Sequence, residues 1–476
     1  MKKALSVITA LILVLSAMAV TASAVSDADW AGIKVTQIVQ VGGGFNYGPG
    51  EELDYGKQTM RGFAVSPDGT KVFGGFLNPK NSSAVVMFDT MTGKAAGYYV
   101  YYQPLDNQTS YPKGLDCDDR GYLYVGLAYT PNNGVANMAV IKYDETDTQT
   151  GFLKQVSLTE VVHEADPGTG AKVGINGLKV KAVGNAYYAY VVVNYDVDYL
   201  YRFNVTIPEE PVLDRSFGTD GRILLQSDEF KIEEKNITEA QYMDVDDSGI
   251  IYVCVNTASG EYIATFTDDG KSLLGAYSQR KAYCPLVLDD RILVSSQNSP
   301  NEIVVYKLPS FEKVSEFTIN EANTVIPGGS NIDHISQDQV NSICNIKIGG
   351  GCLFFGDQCA TTGDVDQIFL TAITDQGKEF EAAVFASIEA TFNGLDTTEE
   401  VTTAAEPEQT TAEEVISTEE VTTAEEVAPT NEVTTAAKTP ETTAAEEKKG
   451  CGSSVAGIAL LIPVCAAVFC VRRKKD

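Results

Sequence analysis

The residues able to do chemistry are few, and most fail on spacing. His163 and His334 are the only histidines, and neither has a partner at metal-ligand spacing. That removes most zinc and haem chemistry. "DVDDSGIIYVCV" (244–255) starts like a calcium loop, but its twelfth position is Val255, where a bidentate carboxylate is required. It reads instead as a hairpin turn. "VGGGFNYGPG" (41–50) is glycine-rich, yet no Gly-Lys-Ser/Thr follows, so it is not a phosphate loop. No Gly-x-Ser-x-Gly nucleophile motif is present.

What remains is a set of mostly polar residues at one recurring place: Arg61, Lys113, Asn176, Gln241, Cys284 and Asn341. Each opens a similar phrase. "RGFAVSPDGTKVFGGF" starts at Arg61, "KGLDCDDRGYLYVGLA" at Lys113 and "NGLKVKAVGNAYYAYVVV" at Asn176. "QYMDVDDSGIIYVCVN" starts at Gln241, "CPLVLDDRILVSSQ" at Cys284 and "NSICNIKIGGGCLFFGD" at Asn341. Each phrase is an alternating apolar strand, an Asp/Gly/Asn turn and a second β-rich strand. A third strand follows each, such as "AVVMFDTMTG" or "EIVVYKLPS", and then a fourth, such as "AAGYYVYY" or "LLGAYS".

Six such units of four strands predict an all-β, six-bladed β-propeller over residues 25–395. A lone four-stranded blade cannot cover its own faces, so blades must pack face to face in a ring. "WAGIKVTQIVQVGGG" before the first unit is a spare strand, expected to join the last blade and close the ring. The inner strands would then bring Arg61, Lys113, Asn176, Gln241 and Asn341 to one channel mouth, which makes them the candidate ligand-binding residues. Asp116 and Asp244 match each other three residues past the start of their phrases, and are assigned to the strand–turn chemistry.

"PKGLDCDDRGYLYV" resembles the NHL repeat, in which Pro-x-Gly-apolar-x-apolar-Asp-x-x-Gly leads into an apolar strand. "FAVSPDGTKVFGG" is similar to the related YVTN-type repeat of surface-layer proteins. The resemblance covers roughly residues 35 to 390. Only the second unit keeps the Pro-x-Gly start, and the fifth has Asp-Asp-Arg where Asp-x-x-Gly belongs. The resemblance implies the propeller and says little of function. It also implies an alternative to a binding module, since such propellers include metal-dependent lactonases with Glu, Asn and Asp around one channel cation. Asn176 and Asn341 fit part of that role, and oxygen ligands would suit calcium. The expected cofactor is nonetheless none, because no acidic residue opens a phrase.

The ends of the chain point outside the cell. Residues 1–24 combine Lys2 and Lys3, an apolar run from Ala4 to Val20, and "TASA" ending at Ala24, the pattern of a secretory signal peptide. Residues 450–476 combine "GCGSS", an apolar run from Val455 to Val471 and a basic "RRKKD" end. That run is about the minimum for a membrane span, and the basic end should stay cytoplasmic. The tail resembles bacterial surface-anchor tails, without an LPxTG motif. It reads as an uncleaved stop-transfer anchor or as one processed near Cys451. Residues 396–449 hold 15 acidic and 3 basic residues, a net −12, with "EVTTA" recurring at 400, 420 and 432. A segment so polar is expected to be a disordered stalk of roughly 40 Å reach.

The formal net charge is −30. With the stalk's −12, the signal's +2 and the tail's +3 set aside, residues 25–395 carry −23. This argues against nucleic acid as a partner. The partners expected are the membrane, through the C-terminal helix, and an extracellular glycan, peptide or protein. Cys344 and Cys352 are candidates to face each other across a hairpin. The 23 tyrosines against one tryptophan are read chiefly as strand residues.

Overall fold

In the computed structural model the chain divides into a unit of residues 1–401 and a second of residues 402–476. The residues described are 30–41, 59–77, 82–102, 111–128, 135–143, 150–152, 155–162, 174–194, 198–296, 302–320, 322–327, 343–357 and 366–392, all within the first unit. The signal peptide, the stalk, the anchor, Asn341 and nearly all of the glycine-rich segment 41–50 lie outside them. No helix among the described residues is long and apolar enough to cross a membrane.

Six antiparallel sheets make six blades, each with its first strand innermost. Those inner strands are Thr59–Val65, Tyr111–Cys117, Gly174–Val183, Ile237–Val245, Ala282–Leu288 and Ile343–Gly349. Each packs on the next, and the sixth packs on the first, so the ring is closed. The spare N-terminal strand Val35–Val41 is the outermost full strand of blade six. It runs antiparallel to Asp366–Ala372, with Thr36 opposite Leu370 and Val41 opposite Asp366. Both ends of the ring are thus sewn into one sheet, and the expected closure is what the structure contains.

Strand alternation explains why the ring holds. Successive side chains point to opposite sheet faces, and here both faces are apolar. On the second strand of blade three, Tyr190 and Val192 face blade four, while Ala189, Val191 and Val193 face blade two. Every blade interface has its own buried apolar cluster. Between blades five and six, Trp30 completes the layer by stacking on Phe317 with ring centroids 6.4 Å apart.

The repeat's punctuation has a physical reading. In blade two the Asp118 Oδ1 accepts from the N–H groups of Arg120 and Tyr122, both at 3.0 Å, and Gly121 takes φ +86°. Blade four repeats this with Asp246, Ser248, Ile250 and Gly249. So the Asp-x-x-Gly carboxylate builds a tight turn. Blade five lacks the glycine and uses a two-residue turn instead, with Asp289 itself at φ +51°. The motif's other glycine serves close approach of the inner strands. A Cβ on Gly114 would stand 2.9 Å from Leu178 Cβ.

Two findings differ from the sequence reading. Cys352 is a free thiol, its Sγ donating to Gly377 O, and Cys344 lies near the other end of the hairpin, beside the Asn345–Gly356 pair. The second difference is a helix, Asp375–Phe392, which the strand pattern does not announce. Thr374 caps it, accepting from Gly377 N–H at 2.9 Å. It packs on blade six by burying Val384 and Ile388 against the cluster of Ile38, Phe354 and Leu370. Glu381 accepts from Thr36 Oγ1 at 2.9 Å and from Ala372 N–H at 3.0 Å, tying the helix to the closing strands.

The helix is therefore part of the closure. Ile388→Ala removes a fully buried side chain and is expected to cost about 2–5 kcal/mol in denaturant unfolding. Glu379→Ala on the exposed face should change stability by less than about 0.5 kcal/mol.

Candidate functional site

Strand pairing fixes which residues are equivalent around the channel. Each inner strand carries a bulge, where one residue has no partner. It is Arg61, Lys113, Asn176, Tyr283 and Cys344 in blades one, two, three, five and six. In blade four the irregularity takes in both Gln241 and Tyr242. Arg61, Lys113, Asn176 and Gln241 thus do occupy one repeated place, inside the inner strands rather than before them. In blades five and six the equivalent residues are Tyr283 and Cys344, not Cys284 and Asn341. The fifth and sixth phrases were out of register by one and three residues.

The channel at this level is crossed by Tyr242. Its hydroxyl donates to Arg61 O at 2.7 Å and lies 3.4 Å from Lys113 O, reaching from blade four to blades one and two. Lys113 Nζ sits 5.8 Å from its ring centroid. Tyr283 meets the same ring edge to face at 5.1 Å. Both tyrosines are buried. They form a plug.

Three residues further along each inner strand, roughly 10 Å on, lies a second ring: Ala64, Asp116, Lys179, Asp244, Leu286 and Lys347. Their second-strand partners are Phe73, Tyr124, Tyr190, Tyr252, Leu293 and Phe354, five of them aromatic. Four members are charged and linked. Lys347 Nζ donates to Asp116 Oδ1 at 2.8 Å. Lys179 Nζ lies 3.0 Å from Asp244 Oδ1 and 3.9 Å from Asp116 Oδ2. Ala64, small and buried, occupies the position between blades six and two, and so leaves room for Lys347 to reach across.

The carboxylates have second tasks. Asp116 Oδ2 accepts from Val180 N–H in the next blade at 2.8 Å, and Asp244 Oδ2 accepts from Val287 N–H in the next blade at 2.7 Å. Burial alone would raise the Asp116 carboxyl, but Lys179, Lys347 and the Val180 N–H hold it below the ordinary carboxylate range. Burial disfavours the Lys179 ammonium, yet the two aspartates raise its pKa above the ordinary lysine value. Asp116 and Asp244 are therefore channel residues. Asp118 and Asp246 perform the turn chemistry first assigned to them.

Four members of this ring, Asp116, Lys179, Leu286 and Lys347, form the floor of a cavity of about 440 Å³ at the far end of the channel. Asp116, Lys179 and Lys347 line it, with an apolar wall of Val65, Val180, Leu286, Leu288 and Ile348. Gly349–Gly351, Thr374 and Gln376 make the rim, so the start of the C-terminal helix is part of it. None of Arg61, Lys113, Asn176 and Gln241 lines this cavity. Lys179 matches Asp116 and Asp244 in the phrases as first aligned, whereas Lys347 joins them only once the sixth phrase is aligned by its bulge.

At the plug's other side, the same kind of cross-blade bond recurs. Asp198 Oδ2 accepts from Ala240 N–H at 2.5 Å, and Asp366 Oδ2 accepts from Met60 N–H at 2.8 Å. Burial pushes the Asp198 carboxyl up to about 6, against the Ala240 and Asn194 hydrogen bonds. Among the described residues, no group of three or more His, Cys, Asp or Glu side chains is placed to hold a metal ion.

No protein-family model matches the chain, and no curated protein matches it. Among solved structures it is similar to a protein of unknown function from Bacteroides caccae, at 11% identity and a TM-score of 0.37, covering 63% of this chain and 82% of that one. It is likewise similar to the Dos1 propeller, at 13% identity and a TM-score of 0.37, covering 69% of this chain and 82% of that one. The chemistry of the site is read from its own residues.

Two tests follow from the charges. Lys179→Met leaves the buried Asp244 carboxylate without its lysine and Asp116 with Lys347 alone, and is expected to cost about 3–5 kcal/mol by denaturant titration, with much of the loss recovered in Lys179→Met/Asp244→Asn. Asp198 gives a pH signature. Between its ordinary 3.8 and about 6 the folded chain holds a proton that the unfolded chain has lost, so this group's contribution to stability falls as pH rises through that window. Asp198→Asn removes the slope. Its stability relative to the parent should be higher above pH 6 than below pH 3.8, by roughly 2–3 kcal/mol.

Proposed function

We propose that the chain is an exported, surface-anchored binding module. In this reading residues 1–24 are removed on export, residues 450–476 hold the chain in the membrane with a cytoplasmic basic end, and residues 396–449 lift the propeller off the surface. The propeller, built of NHL- and YVTN-like repeats, takes up an extracellular glycan, peptide or protein partner without catalysis. The patterning of the two ends supports the location.

The observation that carries the binding role is the cavity with its charged floor. Pockets of this size that combine an apolar wall with a few convergent polar groups are the usual form of a ligand site. Here the convergent polar groups are the half-buried Lys179 and Lys347 and the buried Asp116, held by named bonds. The polar residues Arg61, Lys113, Asn176 and Gln241, with Asn341, remain candidates for contacts at the opposite mouth.

The rival is a metal-dependent lactonase. Against it stands the pairing of both channel carboxylates with ammonium groups, which neutralises the charge a cation would need. The two readings separate in one set of measurements. The purified chain is melted with and without calcium, and offered glycan arrays, peptide arrays and a lactone panel. The module predicts binding on an array, no calcium-linked rise in melting temperature and no turnover. A calcium-linked rise with lactone hydrolysis gives the site to the hydrolase. Silence on every array removes the binding role.

A further inference from the structure

The cavity's floor keeps hydrogen-bond donors unused. Asp116 spends one oxygen on Lys347 and the other on Val180 N–H. Asp244 spends Oδ1 on Val245 N–H and Lys179, and Oδ2 on Val287 N–H. The lysines are less committed. An ammonium group has three donors. Lys347 Nζ makes one bond to the described protein, at 2.8 Å, and Lys179 Nζ has one partner within hydrogen-bond distance, at 3.0 Å. Among the described residues each therefore keeps two donors, and both side chains line the cavity. The floor can give hydrogen bonds from two ammonium groups.

The rim adds to this. Gln376 lines the cavity in the first turn of an 18-residue helix. That end of a helix carries partial positive charge and N–H groups without intrahelical acceptors. The wall of Val65, Val180, Leu286, Leu288 and Ile348 asks for an apolar body behind the acceptor group. Ligand charge is limited as well. The four ring charges cancel, and Asp289 at the cavity edge is a further carboxylate. A dianion or trianion would meet that carboxylate with no surplus of lysines to offset it.

From this geometry we infer that the cavity binds a small monocarboxylate with an apolar body, its carboxylate taken by Lys347 and Lys179 and its hydrocarbon laid along the Val65–Leu286–Ile348 wall. This rests on the binding role proposed above and names the ligand class for its site. The carboxylate adds a third anionic acceptor for two lysines that share two aspartates. Such an interaction in a partly water-excluded cavity is stronger than at an open surface and still weakens with salt.

The test is isothermal titration of the purified full-length chain in detergent micelles with hexanoate and benzoate. The matching amides, hexanamide and benzamide, are compared, with inorganic phosphate as a further arm. The carboxylates should bind at least about tenfold more tightly than their amides, a difference of about 1.4 kcal/mol, and more tightly than phosphate. Lys347→Met should weaken carboxylate binding by at least about tenfold. Because that variant also leaves Asp116 with a single lysine, Asp116→Asn/Lys347→Met is measured beside it. The double variant removes both members of one ion pair, should melt within a few degrees of the parent, and should bind the carboxylates as weakly as Lys347→Met. Equal binding of amides and carboxylates, tighter binding of phosphate, or full carboxylate binding by the folded double variant overturns the inference. If carboxylates fail while a glycan or peptide still binds the parent chain, the ligand class is wrong and the binding role stands. If nothing binds, both fall.

Discussion

At four of the six interfaces a blade takes hold of the next through a carboxylate. An aspartate oxygen accepts a backbone N–H from the neighbouring inner strand, at Asp116–Val180, Asp198–Ala240, Asp244–Val287 and Asp366–Met60. Inner strands are where a propeller has least room and where neighbours share no sheet ladder. A buried N–H left there without an acceptor would cost on the order of 1–3 kcal/mol. A charged acceptor gives the stronger bond, but it brings a negative charge into a place with little water. The rest of the channel is arranged around that charge.

The two ends of the channel answer it differently. At the far end, Asp116 and Asp244 are met by Lys179 and Lys347, and the Asp116 carboxyl is held low. At the near end, Asp198 makes the same kind of bond, and burial raises it to about 6 against its hydrogen bonds and the Lys113 charge. The hydrogen bond is common to both. The balance of burial against counter-charge decides the ionisation. A lysine, once recruited for this, brings three donors where the clamp uses one. The far-end cavity is thus a by-product of structural clamps that leaves cationic donors facing open space.

Much of the fold was legible from sequence because propeller blades repeat their local chemistry. The Asp118 and Asp246 turns, the inner-strand glycines and the spare strand at Val35–Val41 all act through near neighbours or through packing that recurs six times. The Asp375–Phe392 helix occurs once and follows a strand directly, so no repeat announces it. The site was harder. Attention went to the opening residue of each phrase because that residue is polar most often. The bulges there shift the register by one residue, and in blades five and six the apolar pattern fits more than one alignment. A slip by an odd number of residues exchanges the faces of a strand. The three-residue slip in blade six hid Lys347 from Asp116 and left both aspartates looking like parts of their turns. Side chains that meet across the channel come from blades two, three, four and six, and no local window contains them together.

Tyr242 then decides where a ligand can act. It is the extra residue of a double irregularity in blade four, so its ring leaves the strand pattern and crosses the axis to the carbonyl of Arg61. Tyr283 backs it edge to face, and both are nearly without solvent contact. An aromatic plug held at its hydroxyl cannot turn aside without leaving that group or the Arg61 carbonyl unsatisfied. The polar residues at the bulge level and the lysine floor therefore serve separate compartments. A ligand in one reaches the other only through the shared inner strands. That strand set is also what the aspartate clamps hold in register.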